Sequence, residues 1–294
     1  MNYPKTKVYF DGSHYIGIPH ITQKWKKKKV INKQTKMDES KKIKEIYKNS
    51  NGETKKEKIA NTIEKLNEEI QDIEKSTKLV NETLEKEKRN KIVRQTRLSR
   101  KIGLQNWTHF CTFTYDSQKL TEEEFRVKFL NCLRHLASRK GWKYIGVFER
   151  SPVNQRLHFH GIFVITEMVG EIIETKDYST KTHQMQIAHQ NTFFLEKFGR
   201  NDFKPIENNI GINESVMYMM KYIRKTGEKV IYSKHLQTYF ITDIEQNDVV
   251  CTIGQEDRKI LLFDDFKCLD LETGEVLGQP SKDKELINNL PKAY

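Results

Sequence analysis

The chain has 294 residues, of which 52 are lysine or arginine and 40 are aspartate or glutamate, so its formal net charge is +12. This excess of positive charge predicts a polyanionic partner, nucleic acid before an anionic membrane surface. No apolar run is long enough to span a bilayer and the start lacks a signal-peptide core, so we expect a cytoplasmic protein without a membrane partner. The four cysteines lie far apart, which argues against a disulfide framework and a zinc ribbon.

The first hundred residues are rich in Lys, Glu and Asn and are predicted to be largely helical. A short strand is expected over residues 7–10, followed by a basic stretch at 24–29. One helix is expected over residues 38–48, and a longer one from residue 54 into the nineties, because its apolar positions alternate in steps of four and three, as in a coiled coil. The seam positions are Ile59, Ile63, Leu66, Ile70, Ile73, Thr77, Val80 and Leu84.

This seam has three candidate partners: the shorter helix before it, a second copy of the chain, or the domain that follows. Pairing with a second copy would make a homo-oligomer through the N-terminal helix. The end of the long helix, residues 86–101, is strongly cationic. Together with residues 24–29 it could hold DNA phosphates without reading bases, and a solvated charged surface is the alternative.

After residue 100 aromatic and β-branched residues become frequent, which predicts mixed helix and strand. Residues 107–115 are expected to form a strand. Thr121 and Glu124 then form a capping box, which opens a helix that ends at Gly141. The apolar face of this helix carries Phe125, Phe129, Leu133 and Leu136.

Two further strands are predicted over residues 143–150 and 156–165, joined by a turn at 151–155. A helix is expected over residues 188–198. The C-terminal part contains strand-like pieces at 230–232 and 239–241, and a hairpin is predicted around residues 271–274. No internal repeat is visible.

The most informative pattern is His158-Phe-His160. In a strand, alternate side chains share a face, so the two imidazoles project together while Phe159 points into a core. A turn centred near Val153 would place Glu149 opposite His158 in an antiparallel hairpin. Two imidazoles and a carboxylate suit a divalent ion that keeps open positions for a substrate oxygen.

Glu149 is the weaker ligand of the three, because a one-residue slip in register would turn it to the other face. Asp116 is a substitute ligand, although its place at a strand end favours the start of a turn. The remaining histidines have no comparable partners and are interpreted as surface or structural residues. They include His109, His135, His183, His189 and His235.

A second pattern lies in a helix predicted over residues 213–225. Tyr218, Lys221, Tyr222 and Lys225 follow helical spacing and share one face, while apolar residues occupy the other. A phenol becomes a nucleophile when nearby positive charge favours its phenolate, and lysines one turn away would supply that charge. The alternative is an amphipathic surface helix whose Tyr and Lys side chains only reach solvent.

Taken together, these motifs resemble the HUH endonucleases, and in particular the two-tyrosine rolling-circle replication initiators of small single-stranded DNA phages (microvirus type) and plasmids. Residues 110–116 resemble the first family motif, a structural strand. His158-Phe-His160-Gly161 resembles the metal motif, and Tyr218-x-x-Lys221-Tyr222-x-x-Lys225 the nucleophile helix. The resemblance covers roughly residues 105–240.

The resemblance implies an α+β fold, with a central antiparallel sheet and flanking helices of the ferredoxin-like or RNA-recognition-motif kind. With the helical, coiled-coil-like N-terminal region, it divides the chain into three parts: residues 1–100, an endonuclease domain at 101–245 and a C-terminal hairpin extension at 246–294.

By the same resemblance, a Mg²⁺ or Mn²⁺ ion is expected on Glu149, His158 and His160. Tyr218 or Tyr222 would then cut single-stranded origin DNA through a 5′-phosphotyrosine, with Lys221 and Lys225 assisting. No phosphate-binding loop of the form G-x-x-x-x-G-K-[ST] occurs in the chain, so a separate helicase and the host replication machinery are expected partners.

Other readings use the same residues. The chemistry would also serve a relaxase or a transposase, or a nickase with one tyrosine if Tyr222 is structural. Two histidines and a carboxylate also occur in iron(II) oxygenases, although nothing in the sequence suggests a pocket for an organic cosubstrate. A non-catalytic DNA-binding adaptor with a coiled-coil arm would form no covalent DNA adduct.

Overall fold

The structure is a computed structural model, and it describes residues 2–11, 13–20, 33–151, 155–179, 183–206, 228–253, 259–283 and 285–291, with backbone only for 33–37, 179 and 288. Two compact units divide the chain. One contains Met1–His20 together with Ser99–Tyr294, and the other contains Ile21–Leu98.

The helical unit is built from α1 (Lys33–Asn49), α2 (Lys55–Ile70) and the larger part of α3 (Ile73–Gly103). Thr54 and Glu57 form a capping box at the start of α2. Because the apolar side chains of all three helices pack into one cluster, the predicted seam pairs with the shorter helix before it. This cluster contains Ile43, Leu66 and Val80, with Ile46, Ile59, Ile63, Ile70, Leu79 and Leu84 around it.

The prediction of one continuous helix from residue 54 into the nineties is wrong. Gln71 takes a left-handed conformation with φ of 55° and ends α2, and the Asp72 carboxylate accepts a hydrogen bond from the Lys75 N–H at the start of α3. Asp competes for backbone donors in this way, which makes it a good helix cap. Ile73, a predicted seam position, is 55% exposed. A long N-terminal coiled coil is therefore not confirmed.

The other unit contains a five-stranded sheet with the strand order β8-β3-β5-β4-β9, in which every neighbouring pair is antiparallel. Its elements are β3 (His109–Thr114), α4 (Glu122–Lys140), β4 (Lys143–Arg150), β5 (Leu157–Val164), β6 (Ile172–Ser179), β7 (Gln184–Asn191), α5 (Thr192–Lys197), β8 (Asn201–Pro205) and β9 (Ile231–Tyr232). The α+β class with a central antiparallel sheet is thereby confirmed.

One face of this sheet is buried by α4 and α5. The predicted capping box of Thr121 and Glu124 opens α4, and Gly141 ends it with φ of 68°. Phe159 is fully buried on this face, as the alternation predicts, and its ring lies 5.0 Å from that of Phe129 on α4. Each fully buried aromatic side chain of this kind contributes roughly 1.5–3 kcal/mol. The apolar face predicted for α4 is confirmed, since all four of its residues are buried: Phe125, Phe129, Leu133 and Leu136.

Between β5 and β8 the sequence predicts a helix over residues 188–198, and the structure shortens it. The strands β6 and β7 pair in a separate antiparallel hairpin that runs to Asn191. Asn191 then caps the short helix α5 by accepting a hydrogen bond from the Phe194 N–H.

A second sheet of seven antiparallel strands has the order β11-β12-β2-β1-β10-β13-β14. Two N-terminal strands, which the sequence analysis groups with the helices, thus lie in the same sheet as five strands from the C-terminal part. The predicted hairpin around residues 271–274 joins β13 to β14. The elements are β1 (Tyr3–Phe10), β2 (Tyr15–Ile18), β10 (Phe240–Ile244), β11 (Val249–Ile253), β12 (Lys259–Leu262), β13 (Cys268–Leu269), β14 (Val276–Gly278) and the short helix α6 (Leu286–Asn289).

Among the helices that the structure describes, none combines the length and the apolar character needed to cross a membrane.

Candidate metal centre

The centre lies on the face of the five-stranded sheet opposite the aromatic core. In the hairpin of β4 and β5, Glu149 pairs with His158 and Val147 pairs with His160. Directly paired residues project on the same side of an antiparallel sheet. The predicted register is therefore confirmed, and the carboxylate shares a face with both imidazoles.

Two threonines of the neighbouring strand β3 hold the histidine rings. Thr114 pairs with His158, and its hydroxyl lies 2.7 Å from Nδ1 of that ring. Thr112 pairs with His160 in the same way, with a distance of 3.1 Å between its hydroxyl and Nδ1. A proton on Nδ1 that is donated to threonine leaves the lone pair on Nε2, the arrangement in which protein ligands usually orient a metal-binding histidine.

Glu149 lies closest to His160. Their atoms Oε2 and Nε2 are 3.3 Å apart, and the two side chains are 8% and 10% exposed, respectively. The rings of His158 and His160 stack with centroids 6.0 Å apart. Within the described ranges, no group of three or more His, Cys, Asp or Glu side chains could hold an ion as it stands. The donor types and the register fit a divalent ion, and the side-chain conformations would have to change to take one.

The environment keeps His158 neutral. Burial lowers the pKa of its imidazole to about 4, and the neighbouring His160 and Arg156 lower the pKa further, while Glu149 opposes them. Because protonation is disfavoured, Nε2 of His158 keeps its lone pair at neutral pH. A metal ion needs this state, since an imidazolium cannot be a ligand.

Two arginines stand beside His158. Arg156 precedes it by two residues on the same strand end and donates to the main-chain oxygen of Tyr115 at 2.8 Å. The carbonyl oxygen of Arg200 accepts a hydrogen bond from the N–H of Thr114, and its guanidinium pairs with Asp177. A cavity of about 500 Å³ opens here and is lined by Asp116, Lys119, Arg156, Arg200 and four further residues. The open space next to the imidazoles is thus bordered by cations and carboxylates.

Asp116 takes the turn role that its position favours. Its side chain accepts a hydrogen bond from the Gln118 N–H, and its main-chain oxygen accepts from Lys119 and Leu120. Its carboxylate also lies 3.9 Å from the Lys119 ammonium. These contacts are those of a residue that starts a turn.

The predicted reacting helix, with Tyr218, Lys221, Tyr222 and Lys225, lies outside the described residues, which resume at residue 228. The assignment of these four side chains to the reaction stays a prediction from the sequence.

Sequence reasoning missed Thr112 and Thr114 as partners of the histidines. Both lie in the run Phe110-Cys-Thr-Phe-Thr-Tyr, which we interpreted as a structural strand only. Their spacing of two residues matches the spacing of the histidine pair, and that match was the available signal. Arg200 had no signal, because only the pairing of β8 with β3 brings it to the row of Thr114 and His158.

A family model for replication-associated proteins of the ORF2 type matches residues 108–227. No curated protein and no solved structure matches the chain. The matched stretch contains β3, β4, β5 and β8, and with them both histidines, Glu149 and the threonines that hold the rings. This similarity supports a replication-initiator family for residues 108–227, and with it a role in replication initiation.

Proposed function

We propose that this protein initiates rolling-circle DNA replication by nicking and rejoining single-stranded origin DNA. The observation that carries the proposal is the placement of Glu149, His158 and His160 on one sheet face, within the stretch similar to replication-associated proteins. The order of motifs in the sequence, which resembles two-tyrosine HUH endonucleases, supports the same reaction.

In this proposal Glu149, His158 and His160 would hold a divalent ion through one carboxylate oxygen and two Nε2 atoms. When bound, the ion supplies positive charge to an oxygen of the scissile phosphate. Two imidazoles favour Mn²⁺ over Mg²⁺, since Mg²⁺ prefers oxygen ligands. Glu149 would turn away from Nε2 of His160, and the proton of that ring would then lie on Nδ1, toward Thr112.

The proposed nucleophile is Tyr218 or Tyr222. Its phenolic oxygen would form a bond to phosphorus while the bond between phosphorus and O3′ breaks, so that the 5′ side of the cut is linked to the protein and O3′ takes up a proton. Lys221 and Lys225 would favour the phenolate and bind phosphate oxygens. The phosphodiester energy is kept in the phosphotyrosine, so joining needs no nucleotide cofactor.

The proposed partners are single-stranded origin DNA, a separate helicase and the host replication machinery. The net charge of +12 supports a nucleic-acid partner in general and does not choose between these. Relaxase or transposase chemistry would use the same residues, and a non-catalytic adaptor would use none of them.

The direct test is covalent capture. The protein would be incubated with Mn²⁺ and a pool of random-sequence single-stranded oligonucleotides labelled at the 3′ end, and then run on a denaturing gel. We expect label to travel with the protein, and peptide mass spectrometry to find the DNA on Tyr218 or Tyr222. The double variant Tyr218→Phe with Tyr222→Phe should form no adduct.

A pool labelled at the 5′ end is the matched control, because a 5′-phosphotyrosine releases that label with the free 3′-hydroxyl. Retention of the 5′ label instead would overturn the proposed polarity. No adduct in either pool, together with unimpaired DNA binding, would favour the adaptor. An adduct at full yield in the double variant would show that the nucleophile is another residue.

A further inference from the structure

A segment of α3 that the centre does not use carries a dense positive charge. Residues 86–97 lie between the buried side chains of Thr83 and Leu98, and every residue from 88 to 94 is exposed, including Ile92 at 53%. A helix that packs on a protein surface buries one stripe. Residues 88–94 bury none. The cations of this basic segment are Lys86, Lys88, Arg89, Lys91, Arg94 and Arg97.

The charge of the basic segment is almost unneutralised. Lys91 pairs with Glu87 at 3.8 Å, and the other five cations have no ion pair with any described residue. Lys88, Lys91 and Arg94 also follow one another at steps of three, where like charges on a helix repel. A segment of this kind is stabilised by an anion that is not part of the folded chain.

The cations point in all directions around the helix. At 3.6 residues per turn, the six positions leave no gap wider than roughly 100°. A helix that lies on an anionic membrane separates a charged face from an apolar face. The basic segment has no such division, which disfavours a flat partner.

The shape fits a groove lined by phosphates on both sides. An α-helix with its side chains is about 10–12 Å wide, and the major groove of DNA is about 12 Å wide. Over twelve residues, the segment extends roughly 17 Å along the groove. Side chains on opposite flanks of one helix can then reach both phosphate backbones.

We propose that residues 86–97 bind double-stranded DNA by lying in the major groove and contacting phosphates on both sides. The partner differs from the single strand of the proposed reaction, and the proposal does not depend on nicking. Since the contacts are to phosphates, affinity should depend steeply on salt and little on base sequence.

The test is the salt dependence of binding to a 20-bp random-sequence DNA duplex, measured by fluorescence anisotropy. In the full chain, Lys88→Gln, Lys91→Gln and Arg94→Gln together remove three charges and keep good helix formers. The slope of log K against log salt should fall by about 2 to 3, because each lost phosphate contact removes about 0.9.

The matched control removes three exposed lysines elsewhere in the helical unit: Lys65→Gln, Lys75→Gln and Lys78→Gln. It should keep a slope close to that of the unmodified chain, and so should the charge-preserving variant Lys88→Arg, Lys91→Arg, Arg94→Lys. Equal losses in the test and control variants would overturn the proposal, as would no loss in either.

A second probe decides between DNA and lipid. Vesicles of phosphatidylglycerol should bind the test and control variants equally. Loss of vesicle binding in the test variant, with duplex binding intact, would overturn the proposal in favour of a membrane surface. Adduct formation on single-stranded DNA should be unchanged in the test variant, so that failure of either proposal is recognised separately.

Discussion

At the scale of single residues, the hydroxyl of Thr114 decides how His158 can act. It lies 2.7 Å from Nδ1, which fixes the ring and directs Nε2 into the open face of the sheet. Partners of this kind are commonly worth tenfold to a hundredfold in metal affinity. The same is expected of Thr112, whose contact with His160 is longer.

We therefore expect Thr114→Val to weaken Mn²⁺ binding by roughly tenfold to a hundredfold, with the fold intact, because the isosteric side chain cannot accept a hydrogen bond from Nδ1. Isothermal titration calorimetry would measure the affinity. Thr114→Ser keeps the hydroxyl and should bind Mn²⁺ nearly as well as the unmodified chain. Equal affinity in all three proteins would mean that the threonine does not orient the ring.

The depressed pKa of His158 also predicts how stability changes with pH in the presence of a chelator. Its folded-state pKa is about 4 and its unfolded-state value is about 6.5, so the unfolded state binds more protons between these values. Stability contributed by the neutral imidazole is therefore present above pH 6.5 and lost as pH falls toward 4.

Urea denaturation at several pH values between about 5 and 6.5 would measure this slope. In the variant His158→Asn the slope should be shallower. It should not vanish, because burial also lowers the pKa of His109. An unchanged slope would show that His158 is protonated equally in both states.

At the scale of elements, the hairpin of β4 and β5 sets the position of Glu149 relative to the histidines. Gly146 pairs with Gly161 across it, and the ring of Phe159 lies against Gly146 on the core side. A Cβ added at Gly146 would lie 2.3 Å from Cζ of Phe159. The absence of a side chain is thus what allows this ring to pack between the histidines on the opposite face.

Gly146→Ala should displace Phe159 and lower the free energy of unfolding by roughly 1–3 kcal/mol, as overpacking in a core does. Because His158 and His160 flank Phe159, Mn²⁺ affinity should fall as well. Urea denaturation and calorimetry would measure the two effects. As a control, Gly274→Asn changes an open turn position with φ of 72°, which Asn tolerates, and should alter neither. Normal Mn²⁺ binding in Gly146→Ala would uncouple the ring from the centre.

Local patterns in the sequence predicted those elements whose signal is contained in a few neighbouring residues. The capping box at Thr121, the buried Phe159 and the pairing of Glu149 with His158 are confirmed. The break at Asp72 was missed because the apolar spacing continues across it, and the spacing alone does not weigh the capping strength of Asp. The β6–β7 hairpin was missed because its polar and apolar residues follow neither period clearly.

At the scale of the whole molecule, the chain ends share a sheet that no local pattern could reveal. β1 lies between β2 and β10, with Thr6 paired to Thr242, so the pairing spans most of the sequence. Val8 of β1 is fully buried in the core of this sheet. Strand pairing over such a separation depends on tertiary packing, for which composition near residue 8 gives no information.

Removal of residues 1–20 should therefore expose the β10 edge and the apolar residues beneath β1. We expect faster hydrogen exchange at β10 and β12, while β3, β4 and β5 keep their protection, because they belong to the other sheet. Hydrogen exchange with mass spectrometry would measure both sets of peptides. Undiminished protection of β10 in the truncated chain would contradict a structural role for the N-terminal strands.

The most direct test of the proposed centre is pulsed electron paramagnetic resonance of Mn²⁺ bound to the full chain. Modulation from two imidazole nitrogens is predicted for the unmodified protein, from one in His158→Ala, and from two, with weaker binding, in Glu149→Gln. Bound Mn²⁺ without nitrogen modulation, or with the same modulation after both histidines are replaced, would contradict an ion held by His158 and His160.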